Sequence, residues 1–327
     1  MEEPSVFPDP ELKERSLVKA SFVISVRAVK NKLFLSESGA PSYLLVPQGE
    51  VPAPAHSIDP ESWWALVMAA AGSGLLVMVH GHGAGCEHII QRHRKLETGL
   101  AKLDNRALIV SFDWPSDDTA LSFFEDRHRA KHAALSLVSA CLLPLILRLA
   151  PTTDVPINIL AHSAGAYVVR EAFDDADDHR ELRRLNWLIS QMIFVGADVA
   201  RESLLEGSPT SASLSRHSMR LTSYRNSIDT VLDVSRVQRV GAAPRAGREG
   251  LPKKAPDHFV DVDCTARFGV SDVSGSDLAK AHSFYFGDDV WSKDLVLTLS
   301  GIIPPNLMPT RTPYGEQWAL KSALKGS

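Results

Sequence analysis

Cysteine is scarce in this chain: Cys86, Cys141 and Cys264 are the only three in 327 residues. An odd number with no paired spacing argues against a disulfide framework and against a cysteine-built zinc or redox centre. An excess of one charge is lacking too. With 35 Lys and Arg against 39 Asp and Glu, the formal net charge is −4, which gives no electrostatic case for binding nucleic acid or an anionic membrane surface. No clean membrane span appears. The most apolar stretch, Ala133 to Ala150, is interrupted by Ser136, Ser139, Pro144 and Arg148 and reads as a buried helix. The opening residues Met1-Glu2-Glu3-Pro4-Ser5 lack the basic start and apolar run of a secretory signal, so a soluble, cytoplasmic protein is expected. The glycine cluster His80-Gly81-His82-Gly83-Ala84-Gly85 lacks the Lys-Ser/Thr that a phosphate loop requires. There is no internal repeat and no evident linker. A chain that is 44% hydrophobic and 23% charged is globular and long enough for a sizeable core.

The patterning that remains alternates between two periods. Ser21–Val29 alternates apolar and polar residues, as a half-exposed strand does. Leu75–Val79 is a short continuous apolar run, typical of a strand buried on both faces; Ala107–Phe112 is another buried strand, and Pro156–Ala161 and Gln191–Val195 are mostly apolar strands. Met219–Tyr224 and His258–Asp263 are further strands. Helical patterns fall at about 86–103, 118–149 with a bend at Pro144, 164–173 and 180–188. Strands alternating with helices predict an α/β class fold, a mostly parallel central sheet of about eight strands with helices on both faces. The expected organisation is a polar N-terminal segment (1–20), one domain over 21–303, and a Pro-rich C-terminal tail (304–327) lying on the surface.

Chemistry concentrates around Ala161-His162-Ser163-Ala164-Gly165. A lone serine between small residues, after an apolar strand and before a helix, is the pattern of a nucleophile elbow. The strand–turn–helix must be sharp, so only small residues fit two before and two after the serine. Ala161 replaces the usual glycine there by a single methyl group. A serine hydroxyl is a poor nucleophile near neutral pH. It needs a base, a carboxylate to orient that base, and N–H donors for the oxyanion. On this kind of fold the acid and the histidine follow the serine in chain order. For the acid, Asp229 lies on the loop after strand Met219–Tyr224. Asp198, after strand Gln191–Val195, is the alternative acid, and Asp233 is a third candidate. For the base, His282 lies on a loop past the last expected strand and is preferred to His258, which opens that strand. His162, beside Ser163, points elsewhere and reads as a structural histidine. The backbone N–H groups of His82 and Ala164 are the expected oxyanion donors.

Other groups have two readings each. His80, His82, Cys86 and His88 could ligate a metal, but two of them occupy the expected oxyanion loop and the spacing matches no zinc pattern; no metal and no cofactor are expected. Asp174, Asp175, Asp177 and Asp178 with His179 either bind a cation or end one helix and cap the next. Arg236, Arg239, Arg245, Arg248, Lys253 and Lys254 either rim the pocket, favouring an anionic acyl group, or form a solvated loop. Trp114 and Phe123-Phe124 either line an acyl pocket or pack in the core.

Several separated pieces together resemble one family. They are Val79-His80-Gly81, Phe112-Asp113-Trp114-Pro115-Ser116, the elbow, Ala197-Asp198-Val199, the segment from Tyr224 to Ser235, and His282-Ser283-Phe284-Tyr285. The chain resembles a bacterial branch of the α/β hydrolases, within the esterase/lipase superfamily, long catalogued as a domain of unknown function. The resemblance covers about residues 75–290 and implies Ser163, Asp229 and His282 as a triad. It departs where the family usually has Met (Ala164 here) and an aromatic followed by Asn (His82-Gly83 here), both in the oxyanion pocket or its wall. The expected activity is hydrolysis of a carboxylic ester or related acyl bond in a small-molecule substrate. Amide or thioester hydrolysis, and a non-catalytic binding protein on a hydrolase fold, are the alternatives.

Overall fold

The computed structural model describes residues 20–83, 85–116, 123–149, 154–184, 187–232, 243–271 and 278–323. Eleven strands form one sheet, in the spatial order β10-β11-β9-β8-β7-β6-β4-β5-β1-β2-β3. They are β1 (Ala20–Lys30), β2 (Leu33–Pro47), β3 (Ser57–Ile58), β4 (Leu75–Val79), β5 (Leu108–Asp113), β6 (Ile157–His162), β7 (Ile189–Val195), β8 (Ser218–Arg225), β9 (Phe259–Asp263), β10 (Arg311–Tyr314) and β11 (Gln317–Leu320). β1, β5, β4, β6, β7, β8, β9 and β11 run parallel, while β2, β3 and β10 attach antiparallel at the two edges. The fold is thus the expected α/β class, with a mostly parallel sheet between helices.

The buried strands show why continuous apolar runs mark them. Along β4, Leu75, Val77 and Val79 join the core on one face, with helices Pro60–Ala70 and Ala164–Asp178, whereas Leu76 and Met78 join the other, with helices Cys86–Ala101 and Asp289–Ser300. Successive side chains point to opposite faces, and both faces are covered, so no position is left for a polar residue.

The long helical stretch before β6 is helical over Phe123–Leu137 and Leu143–Leu149, joined by a π turn at Val138–Leu142. Pro144 has no N–H, so the carbonyl of residue 140 loses its ordinary helical donor. The Tyr43 hydroxyl donates to that Ala140 carbonyl at 2.9 Å, repairing the gap from β2. Residues 129–149 are long and apolar enough to cross a membrane by composition, yet over half of that window is buried inside the fold.

Two expectations are corrected. The described residues of 180–188 form no α-helix; Leu182–Arg184 make a 3-10 turn. The segment after Pro304 is not a surface tail. Its β10–β11 hairpin extends the sheet, β11 pairing parallel with β9. What fixes it is a buried ion pair: Arg311 donates to both carboxylate oxygens of Asp294, at 2.6 Å from Nη2 and 2.9 Å from Nε. Tyr224 donates to the same carboxylate at 2.6 Å. Both charged side chains are almost wholly inaccessible.

Removing one partner of such a pair leaves an uncompensated buried charge. Arg311→Met is therefore expected to lower the unfolding free energy by about 3–5 kcal/mol, read from urea denaturation. A loss under about 1 kcal/mol, the size of an exposed ion pair, would show that the hairpin is only peripheral.

Candidate active site

The parallel strands aim their C-terminal ends at one region, and every residue of the expected triad lies there. β6 ends in His162 and Ser163 begins the turn into helix Ala164–Asp178. Ser163 has φ 56° and ψ −125°, a conformation that costs a non-glycine residue about 1–3 kcal/mol. The neighbours over-determine it. Ser163 N–H donates to the Val195 carbonyl of β7 at 2.9 Å, and its own carbonyl accepts from Ala166 and Asp198 at 3.0 and 3.1 Å. A side chain on Gly165 would lie 2.6 Å from the His80 carbonyl, and one on Gly81 would lie 2.7 Å from Cβ of Ser163. The small residue read two places after the serine is thus a steric requirement at Gly165, and Gly81 adds a second: β4 and the helix close on the turn with no room for Cβ at either point.

Asp229 and His282 meet close by. His282 Nδ1 donates to Asp229 Oδ2 at 2.5 Å. Asp229 is fully buried. Its second oxygen accepts from Val231 N–H at 3.1 Å and Leu232 N–H at 3.4 Å, so the turn itself orients the carboxylate. Arg248 donates to the Asp229 carbonyl at 2.9 Å. Gly196, next to the carbonyl that holds Ser163, lies against this pair: a Cβ there would be 3.5 Å from His282 Nδ1 and 3.6 Å from Asp229 Oδ2. The elbow, the acid loop and the histidine therefore converge on the Val195–Gly196 turn.

The rival assignments are placed elsewhere. Asp198 points its carboxylate at Arg245, 3.2 Å from Nε, and its N–H supports the elbow instead. His258 precedes β9 at the opposite end of the sheet from the site. Asp233 lies outside the described residues, as do Arg236 and Arg239 of the basic stretch. Arg245 is buried and Arg248 faces the acid loop, while Lys253 and Lys254 are exposed.

The expected oxyanion loop follows β4. His82 is half-buried in the turn after His80-Gly81. The Ala164 N–H is the first of its helix and so has no intrahelical acceptor, and it sits at the positive end of the helix dipole. His80 is fully buried, and burial holds it below the usual imidazole range. Its Nε2 accepts from the Trp114 N–H at 3.0 Å, its Nδ1 contacts the Gly81 carbonyl at 2.7 Å, and the Trp114 indole donates back to the His80 carbonyl at 2.8 Å. Trp114 is wholly inaccessible, its ring stacked on His80. It wedges the ends of β4 and β5 together and does not face a pocket; the side chains of Phe123 and Phe124 lie outside the described residues.

The candidate ligand groups are engaged in other ways. His80 has both ring nitrogens occupied, His88 is exposed on its helix, and the Cys86 thiol is pushed up to about 11 by burial and by Asp113. A thiol that stays protonated near neutral pH is no rival nucleophile. Asp177 pairs with His217 at 2.8 Å and with Arg216, so the acidic cluster ends its helix in ion pairs.

A family model described as "Alpha/beta hydrolase of unknown function (DUF900)" matches residues 61–264, more than half of the chain. The chain belongs to that alpha/beta hydrolase family. No curated protein matches it. Among solved structures, a cutinase-like protein from Cryptococcus sp. is 14% identical, covering 71% of this chain and 97% of its own, with a TM-score of 0.35. An acetylxylan esterase is 12% identical, covering 70% of this chain and 97% of its own, with the same TM-score. Overlaps of that size do not bear on this hydrolase's substrate.

Arg92 and Asn226 carry no sequence motif, and His162, within the elbow motif, reads as structural in the sequence; their contacts with one another and with the loop bearing His282 are revealed only by what the fold sets opposite them.

The steric argument at the elbow is directly testable. Gly165→Ala places a methyl group against backbone carbonyls that cannot swing aside, so it is expected to cost about 1–3 kcal/mol in chemical denaturation. An unchanged denaturation midpoint would contradict the close approach.

Proposed function

We propose that this alpha/beta hydrolase is a serine esterase working through an acyl-enzyme, with Ser163 as nucleophile, His282 as base and Asp229 as orienting acid. The observation that carries the reading is the buried 2.5 Å Asp229–His282 hydrogen bond beside a serine held at positive φ. A buried carboxylate on Nδ1 fixes the tautomer that leaves Nε2 free to accept a proton. Backbone strain at one serine, at the mouth of a helix, is the signature of a residue held for chemistry rather than for capping; Ser163 makes no side-chain cap bond.

In this scheme His282 Nε2 takes the Ser163 proton as Oγ attacks the acyl carbonyl. The carbonyl π electrons move to oxygen, and the N–H groups of Ala164 and His82 receive the oxyanion. As the carbonyl re-forms, the bond to the alcohol oxygen breaks and His282 returns its proton to that oxygen. The acyl group now sits on Ser163 Oγ. Water repeats the sequence, giving its proton to His282, and the free acid and serine are released. Each amide donor to the developing oxyanion is worth about 2.7–4 kcal/mol of barrier in comparable sites.

Labelling with a fluorophosphonate tests the scheme. Wild type is expected to react, Ser163→Ala not at all, and Asp229→Asn roughly 10³- to 10⁴-fold more slowly, the loss that follows when the wrong tautomer is favoured. Folded wild type that does not react, or Ser163→Ala that still does, would contradict it.

A further inference from the structure

His162 is fully buried next to the proposed nucleophile, and the scheme above gives it no role. Its Nε2 lies 2.9 Å from the backbone carbonyl of His282. A carbonyl only accepts, so Nε2 carries the proton and donates. Its Nδ1 must then accept, and Arg92 Nη1 lies 3.3 Å from it. Arg92 reaches in from helix Cys86–Ala101, and its guanidinium faces the Phe286 ring at 5.7 Å. Phe286 in turn meets the His162 ring edge-on at 5.3 Å. Among the described residues no carboxylate lies within ion-pair distance of Arg92; the imidazole is its hydrogen-bond partner. Burial holds His162 well below the usual imidazole range, and the Arg92 charge adds to the effect.

The neighbouring carbonyl is held in the same way. Asn226 is wholly buried and donates from Nδ2 to the Ala281 carbonyl at 3.0 Å, while its Oδ1 accepts from Ile228 N–H at 3.2 Å in the acid loop. Successive carbonyls at 281 and 282 are therefore gripped by side chains from two different loops, one bearing Ser163 and the other Asp229. The helix that carries His282 is short, Leu278–Ser283, and cannot fix a side chain by its own length.

We infer that His162, oriented by Arg92, is a positioning residue for His282, and that with Asn226 it clamps the histidine's backbone so that the ring stays registered between Asp229 and Ser163. The arrangement ties the base to the nucleophile's own strand end, so the two cannot drift apart as the surrounding loops move. The neutral state of His162 matters because its ring centroid is 4.7 Å from that of His282. A second cation there would oppose the imidazolium that forms on His282 in each half-reaction. Misplacement of a reacting group by an ångström costs on the order of 10²-fold in rate.

This role rests on the triad reading, and two readouts separate the two. The first is the downfield proton resonance of the His282 Nδ1–H bonded to Asp229, assigned by its loss in His282→Ala. The second is the rate of phosphonylation by a fluorophosphonate. His162→Leu, confirmed folded by circular dichroism, is expected to broaden or lose the resonance and to slow phosphonylation roughly 10- to 100-fold. His162→Gln, which keeps a donor near the carbonyl, is expected to recover most of both. Arg92→Met, which frees the His162 tautomer but keeps the ring, is expected to move both in the same direction by less, and it stands in should His162→Leu not fold. Folded His162→Leu, or in its place Arg92→Met, with resonance and rate unchanged would overturn the clamp. A wild type that never reacts with the probe, but whose resonance still depends on His162, would support the clamp and overturn the nucleophile reading.

Discussion

The arrangement of this protein depends on one backbone turn. Ser163 occupies a conformation that an isolated chain would avoid, and it stays there because three strand ends and a helix leave it no alternative. β7 takes its N–H, the Asp198 turn takes its carbonyl, and β4 presses its last carbonyls against Gly165. The unfavourable local energy, about 1–3 kcal/mol, is small beside the burial of the surrounding strands, so the core can hold it. Ser163 is thereby held at the N-terminus of helix Ala164–Asp178. The same packing explains why the two glycines at 81 and 165 admit no side chain.

A second constraint follows from the first. Once the serine is fixed by β6, His282, the proposed base, has to be brought to it from a distant part of the chain. The structure does this with buried polar bonds: Asp229 on the ring, Asn226 and His162 on the backbone. Aromatic side chains just after His282 complete the anchoring; Phe284, Tyr285 and Phe286 are buried in the core that also contains Trp291. Buried polar bonds of this kind are costly to leave unmade, so each loop's position depends on the others.

Much of this was legible in the sequence. Apolar runs gave β4, β6 and β7 to within two residues, because a strand covered on both faces is apolar over most of its length. The elbow was readable because sterics at a sharp turn act on neighbouring residues only. The choice of Asp229 over Asp198, and of His282 over His258, followed from their positions relative to the expected strands, and the geometry places the first of each pair in contact. What was not legible depends on long-range pairing. Arg311 looks like one basic residue in a Pro-rich tail until Asp294 is set opposite it, so nothing local in the sequence marks the hairpin it anchors. Near the end of the stretch 180–188, Trp187 stacks on His217 at 3.9 Å between centroids, a contact no local pattern announces. Trp114, with the look of a pocket residue on a loop after a strand, is drawn inward by a hydrogen bond to His80.

The central claim is that Ser163 forms a covalent acyl intermediate. The most direct measurement is acid-quenched peptide mapping by mass spectrometry after brief exposure of the full chain to p-nitrophenyl acetate. One acetyl group on the peptide containing Ser163, absent in His282→Ala, is the expected result. Acetylation found only on other side chains, or none on a folded protein that nonetheless hydrolyses the ester, would contradict the account.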